Sequence, residues 1–371
     1  MDVKPRDPMP PDGITLPARY YTDPTLFTAE LERFFRRMWV CVARTDELPE
    51  VGSYVLRDLA GESVIVVRHA ADGISAYHNI CRHRGTRLCT DADGQFAGQI
   101  QCPYHAWTYD LAGRLVGAPH MEEVPHFEKA DYPLQSLSVA CWDGHVFLHR
   151  ATEPEPLDQQ LAGLLDKFRP WCMEDLRRGT RITYDVKANW KLIVQNYSEC
   201  LHCPVIHPEL SQLSHYLSGE NEPLQPTYMG GRMDFRDGVD TLTGDGVRRR
   251  ACLPALSPED QRRAYFYAVF PNLLLSLHPD YMLTHTLWPL ASDQTRVICE
   301  WHFHPDEMSK SDFDPHDAVD FWDKTNRQDW RVSELAQEGI SSPAYCPGPY
   351  SNREDLLYAF DRFIVQGHAS D

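Results

Sequence analysis

The spacing of apolar and polar residues changes along the chain. Residues 25–40 carry apolar positions at helical spacing, which predicts a short amphipathic helix. Pro24 stands at the first turn of this helix, and Thr22 or Asp23 is placed to cap it. Residues 41–150 instead carry short β-like runs, which predict a small all-β module. The expected turns of this module are Asp72-Gly73, Asp93-Gly94, Ala112-Gly113 and Asp143-Gly144.

A second domain is expected after the all-β module. Residues 151–158 are acidic and contain proline, which suits a domain boundary, and helical spacing resumes at Leu161. The polar, turn-rich stretch 215–262 predicts loops and edge strands. Strand-like runs then cover 273–277, 281–288 and 295–303, and helical patterns cover 318–338 and 353–365. The predicted divisions are a helical segment that packs on the last domain, the β module and a larger domain, at 1–40, 41–150 and 151–371.

Composition limits the class of protein. A chain of 371 residues with 42% hydrophobic side chains can bury a large core. Its net charge of −18 argues against nucleic acid and anionic membrane surfaces, because both bind clustered Lys and Arg. The chain lacks the apolar segment of a signal peptide and any stretch long enough to span a bilayer, so we expect a cytoplasmic protein without membrane attachment. The 11 cysteines, an odd number, predict reduced thiols rather than a disulfide framework.

Two Cys–His pairs in the β module form the first chemical motif. Cys81 and His83 are followed, after eighteen residues, by Cys102 and His105. Two thiolates and two imidazoles could hold a zinc ion, or a 2Fe–2S cluster with the cysteines on one iron and the histidines on the other. The spacing argues against zinc, because zinc ribbons favour Cys-x2-Cys hooks and each pair here mixes the two residue types.

The residues around these pairs resemble the ligand loops of Rieske-type oxygenases. CRHRG at 81–85 and CPYHAW at 102–107 are similar to the two loops of that family. The resemblance implies a 2Fe–2S cluster bound by both Cys–His pairs. It also implies an α+β fold, in which a small all-β Rieske domain near the N-terminus precedes a larger catalytic domain with an antiparallel sheet covered by helices.

A second motif lies in the larger domain, at Glu199, His202 and His207. A helix that ends near Pro204, with His207 on the next turn, would bring both imidazoles to one metal, but two such histidines alone are also common as structural residues. The segment resembles the catalytic iron site of Rieske oxygenases, whose motif is an acid, two residues, His, four residues and His. The resemblance implies a mononuclear ferrous iron held by His202 and His207.

The resemblance implies a third iron ligand, an aspartate from a helix later in the chain. In the helical pattern at 321–330, Asp329 follows Gln328 as the family's ligand commonly follows Glu or Gln, and it is the preferred candidate. Asp323, which follows Phe-Trp, is the alternative. Two histidines and one carboxylate leave three positions open on ferrous iron.

The family resemblance also implies how the two metal sites cooperate. It implies a head-to-tail homotrimer in which the cluster of one subunit lies beside the iron of its neighbour. Glu199 would bridge the two sites, between His202 and His105 of the adjacent subunit. The chain has neither a Gly-x-Gly-x-x-Gly turn nor a four-cysteine ferredoxin spacing, so a separate reductase or ferredoxin is expected to supply electrons.

The substrate class stays open at this point. Glu199 replaces the aspartate of many members and resembles the subset that oxidises quaternary ammonium compounds such as carnitine, proline betaine and glycine betaine. The leading hypothesis is therefore a terminal oxygenase that uses O2 to hydroxylate or oxidatively demethylate a small molecule, with an aromatic acid or ring as the alternative substrate. A Rieske electron carrier and a zinc-stabilised binding module are the competing classes. The aromatic candidates to face the iron are Trp190, Tyr197, Tyr281, Trp288, Trp301 and Phe303.

Overall fold

The computed structural model describes residues 8–369, which fall into two units. One unit comprises residues 35–159, and the other comprises residues 8–34 together with 160–369. Residues 1–7, which belong to the predicted N-terminal segment, and residues 370–371 lie outside the described part of the chain. Among residues 8–369, no helix is both long enough and apolar enough to cross a membrane.

The unit at 35–159 consists mainly of antiparallel strands. Its strands are β1 (Val40–Arg44), β2 (Ser53–Leu59), β3 (Glu62–Ala70), β4 (Gly73–His78), β5 (Asp93–Gln95), β6 (Gln99–Gln101), β7 (Thr108–Asp110), β8 (Leu115–Gly117), β9 (Ser136–Trp142) and β10 (His145–His149). One sheet has the order β1-β10-β9-β4-β3-β2-β5, and a small second sheet has the order β6-β7-β8. The predicted all-β module is therefore confirmed.

Two of the four expected turns, Ala112-Gly113 and Asp143-Gly144, lie between strands, and the turn expected at Asp72-Gly73 lies one residue earlier, with Gly73 the first residue of β4. Asp143 and Gly144 connect β9 to β10 with φ values of 44° and 84°, as a tight hairpin turn requires. The prediction of a turn at Asp93-Gly94 was wrong, because this pair lies inside β5 and pairs with β2. A Cβ atom at Gly94 would lie 3.0 Å from the ring of Tyr54, so the glycine allows close strand packing instead of a turn.

The second unit is a seven-stranded antiparallel sheet with helices. Its strands are β11 (Arg177–Val186), β12 (Glu220–Asn221), β13 (Tyr228–Asp234), β14 (Arg263–Val269), β15 (Leu273–Leu277), β16 (Met282–Ala291) and β17 (Gln294–Phe303). The sheet order is β11-β17-β16-β15-β14-β13-β12. Two strands of the predicted turn-rich stretch, β12 and β13, thus lie at one edge, and the expected α+β class is confirmed.

The helices of the described chain differ greatly in length. They are α1 (Arg19–Thr22), α2 (Pro24–Glu30), α3 (Leu157–Gln160), α4 (Ala162–Phe168), α5 (Trp190–Tyr197), α6 (Cys203–Ile206), α7 (Pro208–Leu213), α8 (Pro305–Met308), α9 (His316–Ile340) and α10 (Asp355–Ala369). Helix α2 begins as its sequence predicts: Pro24 is its first residue, and the Asp23 carboxylate accepts a 2.7 Å hydrogen bond from the Thr25 N–H.

A buried ion pair joins α2 to α5. The Lys191 ammonium donates to both carboxylate oxygens of Glu30 at 2.7 and 2.6 Å, and both side chains have no solvent exposure. The indole N–H of Trp190 donates to the same carboxylate at 2.9 Å. Burial lowers the pKa of Lys191, and the negative charge of Glu30 opposes that shift. The pair thus holds the first turn of α5 in a fixed position.

Replacing Glu30 by Gln should strongly destabilise the unit that contains α5. The change leaves the buried Lys191 ammonium without a counter-charge, which typically costs about 3–5 kcal/mol. The measurement is urea unfolding, followed by a probe of this unit. The matched control is Asp185→Asn, which breaks the half-exposed pair with Arg296 and should cost less than about 1 kcal/mol. Equal unfolding midpoints for the two variants would contradict the role given to the buried pair.

Candidate metal centres

The two Cys–His loops of the first unit repeat one backbone structure. In each loop, the cysteine N–H donates to the carbonyl five residues later, and the N–H four residues later donates to the cysteine carbonyl. These bonds are Cys81 to Thr86 (2.8 Å), Gly85 to Cys81 (3.0 Å), Cys102 to Trp107 (2.8 Å) and Ala106 to Cys102 (3.1 Å). Gly85 and Ala106, at equivalent positions, both have positive φ, 74° and 55°. The two loops therefore share one backbone structure, but the histidine is the second residue after the cysteine in the first loop and the third in the other.

The side chains of these loops fit a Rieske cluster. The thiols of Cys81 and Cys102 are buried, His105 is half-buried, and His83 is exposed. The two imidazole rings lie edge to face with centroids 4.8 Å apart. Partial burial, together with His105 and Arg84, lowers the pKa of His83, which favours the neutral imidazole that a metal needs. Two inner thiols and two outer imidazoles are the donor set of a Rieske cluster, with its cysteines and histidines on different irons.

The second site forms where helix α5 ends. Its last residue is Tyr197, and residues 198–202 are non-helical, so the predicted continuation of a helix to Pro204 was wrong. Pro204 instead lies in the first turn of α6, and His207 joins α6 to α7. Proline favours the first turn of a helix because the amide it lacks would have no partner there. These short elements hold His202 and His207 close together.

His202, His207 and Asp329 converge on one point. Their candidate ligand atoms all lie within 4.8 Å of one another. Asp329 Oδ1 is 2.8 Å from His207 Nε2 and 3.4 Å from His202 Nε2. His207 is buried, the other two side chains are each 16% exposed, and all three line one cavity.

Hydrogen bonds orient both imidazole rings. The Nδ1–H of His202 donates to Glu199 Oε1 at 2.5 Å, and the Nδ1–H of His207 donates to Gln328 Oε1 at 2.8 Å. With these tautomers, both Nε2 atoms face Asp329, and their lone pairs can bind a metal. Such oxygen partners on the outer nitrogen are a regular feature of metal-binding histidines. The three side chains therefore fit a two-histidine, one-carboxylate iron site.

The electrostatics of this centre favour a protonated imidazole at His202 and an ionised carboxylate at Asp329. Burial lowers the pKa of His202, but Asp329 and Glu199 outweigh it and raise the pKa to about 9. Burial raises the pKa of Asp329, whereas the two histidines hold it below its usual value. The Asp329 carboxylate is thus ionised and available as a ligand. A divalent cation bound there would replace the protons on the imidazole nitrogens.

Asp323 lies outside this group of side chains. Its carboxylate accepts a 2.6 Å hydrogen bond from the Tyr184 hydroxyl and a 2.9 Å bond from Arg327. Asp323 and Asp329 are six residues apart on α9, which points them in directions about 120° apart. Only Asp329 therefore faces the histidines.

The cavity above the centre has aromatic walls. Of the aromatic residues named from the sequence, only Tyr197 lines it. The others are not lining residues, and four of them, Trp190, Tyr281, Trp301 and Phe303, are buried in the core. The aromatic side chains that the sequence interpretation missed are Tyr216, Phe266, Trp322 and Trp330. A usable signal existed for Trp322, because it lies seven residues before Asp329 on α9 and so shares its face, whereas Trp330, one residue after Asp329, lies about 100° away around the helix.

Two cysteines of this segment form a disulfide. Cys200 and Cys203 are bonded to each other, whereas the other nine cysteines, all within residues 8–369, form no disulfide. The expectation that all thiols are reduced is therefore wrong for this pair. The Cys-x-x-Cys spacing at 200–203 indicates such a pair, although the odd number of cysteines argues against a disulfide framework.

Replacing Asp329 by Asn should remove the mononuclear metal and leave the cluster in place. An amide is a weaker ligand than a carboxylate, so the iron content should fall from about three to about two per chain, with acid-labile sulfide unchanged. Asp323→Asn, the matched control on the same helix, should retain about three irons. Iron and sulfide analysis of the purified variants makes the comparison, and the reverse pattern would assign the ligand to Asp323.

The two sites together define a class of protein: an oxygenase with a Rieske cluster and a mononuclear non-haem iron. The Rieske 2Fe–2S domain profile matches residues 38–128, and the profile of the ring hydroxylating alpha subunit catalytic domain matches residues 173–367. The chain belongs to the ring-hydroxylating oxygenase alpha-subunit family, as the sequence motifs predicted. Its cofactors are therefore a Rieske 2Fe–2S cluster and a mononuclear iron, and the electron-carrier and zinc-module hypotheses are set aside.

Curated relatives and solved structures agree with this assignment. The chain is 32% identical over 367 residues to the glycine betaine monooxygenase oxygenase subunit of Pseudomonas aeruginosa, covering 91% of this chain and 85% of the relative. It is 38% identical over 204 residues to the carnitine monooxygenase oxygenase subunit of Escherichia coli, covering 54% of each. The crystal structure of the quaternary ammonium Rieske monooxygenase CntA with L-carnitine has the same fold, with a TM-score of 0.80 at 24% identity over 98% of this chain and 99% of CntA.

Proposed function

We propose that this protein is the terminal oxygenase component that hydroxylates or oxidatively demethylates a quaternary ammonium compound. The observation that carries the proposal is the aromatic cavity directly above His202, His207 and Asp329. The names of the relatives, which act on glycine betaine and carnitine, point to the same substrate class. The proposal keeps the cytoplasmic location expected from the sequence.

Three rings of the cavity wall suit a trimethylammonium group. The centroid of Phe266 lies 6.1 Å from those of Tyr197 and Trp322. The Tyr197 hydroxyl donates to the Leu275 carbonyl at 2.9 Å, and the Trp322 N–H donates to the Tyr281 hydroxyl at 2.7 Å. With their polar atoms paired, these rings offer a ligand π surface rather than hydrogen bonds. A cation within about 6 Å of such rings is attracted by their quadrupoles.

Charged residues of the cavity suit a substrate of mixed charge. Glu199 and Asp329 provide negative charge near the floor, which favours the ammonium end there. Arg232 and Arg353 also line the cavity and provide positive charge for a substrate carboxylate, although Arg232 already pairs with Glu220 and Asp234. The proposal therefore prefers betaines and carnitine over choline, which carries no carboxylate.

The protein side chains have defined tasks in this reaction. When bound, the iron supplies the activation of O2, with electrons relayed by the cluster. His202, His207 and Asp329 would hold the iron, and Cys81, His83, Cys102 and His105 would hold the cluster. An N-methyl group hydroxylated in the cavity leaves as formaldehyde, and the tertiary amine and one proton remain. The two electrons per turnover come from a separate reductase or ferredoxin.

The proposal also assigns Glu199 the role of a bridge between subunits. Its Oε1 accepts from His202, and its Oε2 accepts from the Leu201 N–H, so the carboxylate is held in one orientation. In a head-to-tail homotrimer, Glu199 would also accept from His105 of the neighbouring subunit. A carboxylate between two imidazoles would then couple electron transfer to proton movement.

Replacing Glu199 by Gln should keep both metal sites but slow product formation by about 10–100-fold, because the amide cannot accept from both imidazoles. The measurements are metal content and single-turnover product yield with chemically reduced protein. The matched control is Glu209→Gln, which removes a half-exposed acid that pairs with Lys324 and should leave turnover unchanged. Normal turnover of Glu199→Gln would remove the bridge from the mechanism.

The substrate class can be tested with a pair of isosteric compounds. Glycine betaine should bind at least about 10-fold more tightly than 3,3-dimethylbutanoate, which has carbon in place of nitrogen, because a desolvated cation–π contact contributes about 2 kcal/mol. Phe266→Leu should reduce this preference, whereas Leu210→Val, at another lining position, should preserve it. Binding is measured by calorimetry, and turnover by O2 consumption and formaldehyde release. Activity on aromatic acids with no response to betaines or carnitine would refute the proposal.

A further inference from the structure

The Cys200–Cys203 disulfide encloses one of the candidate iron ligands. The bonded pair brackets Leu201 and His202 and lines the same cavity as the metal centre. Cys203 Sγ lies 3.8 Å from His202 Nε2, the nitrogen that also faces Asp329 Oδ1 at 3.4 Å. The sulfur is therefore on the metal side of the histidine ring.

The separation of 3.8 Å is close to that of two ligands on one ion. With bonds of about 2.0 Å to nitrogen and about 2.3 Å to sulfur, the two ligand atoms are about 3.0 Å apart at the 90° angle of a site with six positions and about 3.5 Å apart at a tetrahedral angle. The sulfur would have to move by about 0.3–0.8 Å toward His202 Nε2 to reach such a separation. In the disulfide, however, this sulfur is a poor donor, since the thiolate is the form of cysteine that binds metals.

The position of the disulfide suits reversible cleavage more than stabilisation. Ring closure over four residues restricts the unfolded chain much less than closure over a long loop. Cys200 is half-buried, whereas Cys203 is buried, so an attacking thiol meets Cys200 first. Attack at Cys200 Sγ makes Cys203 the leaving group and releases its sulfur beside His202.

We propose that Cys203 is a redox-gated fourth protein ligand of the mononuclear metal, an inference that rests on the metal site in the proposed function. A dithiol reduces the disulfide: its two sulfurs become a disulfide, and Cys200 and Cys203 each gain a hydrogen atom. Cys203 then binds the metal as a thiolate, and its proton passes to water. In the oxidised state, the metal has three protein ligands, and its remaining positions are open. In the reduced state, the Cys203 sulfur fills one of these open positions.

Cobalt provides a probe that does not confuse the two metal sites. The full-length protein, with its cluster intact, is loaded with Co(II) in place of the mononuclear iron, and X-ray absorption at the cobalt edge reports only that site. A trialkylphosphine serves as reductant, because it supplies no sulfur: phosphine, water and disulfide give phosphine oxide and two thiols. Alkylation under denaturing conditions and mass spectrometry then report whether Cys200 and Cys203 were bonded.

Two serine variants form a matched pair, because both lack the disulfide and only one retains Cys203. Wild-type protein should show no sulfur neighbour at cobalt before the phosphine and one at about 2.3 Å after it. Cys200→Ser should show one sulfur under both conditions, and Cys203→Ser should show none under either. Alkylation should label Cys200 and Cys203 in the wild-type protein only after reduction.

Three outcomes would overturn the inference. A purely nitrogen and oxygen shell in reduced wild type and in Cys200→Ser would exclude Cys203 as a ligand, while the metal site of the proposed function would stand. Labelling of both cysteines before reduction would exclude the redox gate. Cobalt that stays bound, with an unchanged shell, in His202→Ala would place the metal elsewhere and overturn the metal site together with the inference.

Discussion

The buried ion pair between Lys191 and Glu30 sets the position of the catalytic segment. A lysine with no solvent exposure needs a counter-charge beside it, so the pair favours the packing of α5 against α2 that places Glu30 at Lys191. Seven residues along from Trp190, α5 ends at Tyr197, and the ligand segment begins. An electrostatic requirement at one end of a short helix thus determines where Glu199 and His202 lie at the other end.

Helix α9 provides the complementary half of the site. Gln328 and Asp329 are adjacent, and they contact opposite nitrogens of the His207 ring. Glu199 performs for His202 the task that Gln328 performs for His207, so each imidazole is oriented from outside by an oxygen and faces the same carboxylate from inside. The metal-binding geometry is therefore built by hydrogen bonds between side chains from three separate stretches of the chain. Helix α9 also carries Trp322 and Trp330 into the cavity wall.

The two candidate metal sites are held in place by different kinds of contact. The cluster loops rely on backbone structure, with the same pair of hydrogen bonds in each loop and a positive φ at both Gly85 and Ala106. The mononuclear site relies on side-chain partners and a short, irregular segment, which the Cys200–Cys203 disulfide closes. A regular turn suits a cluster that only accepts and passes electrons. An irregular segment with a redox-active bond gives the catalytic metal an adjustable set of neighbours.

The sequence alone determined the family, the α+β class and the Cys–His and His–His motifs, because these depend on spacing along a few consecutive residues. It also favoured Asp329, although only by resemblance. The tertiary structure places Asp329, and not Asp323, beside the two histidines, since that depends on which face of α9 meets His202 and His207. It also determined the aromatic wall and the strand at Asp93-Gly94. These features depend on contacts between residues that are distant in sequence or on close backbone packing, neither of which local periodicity encodes.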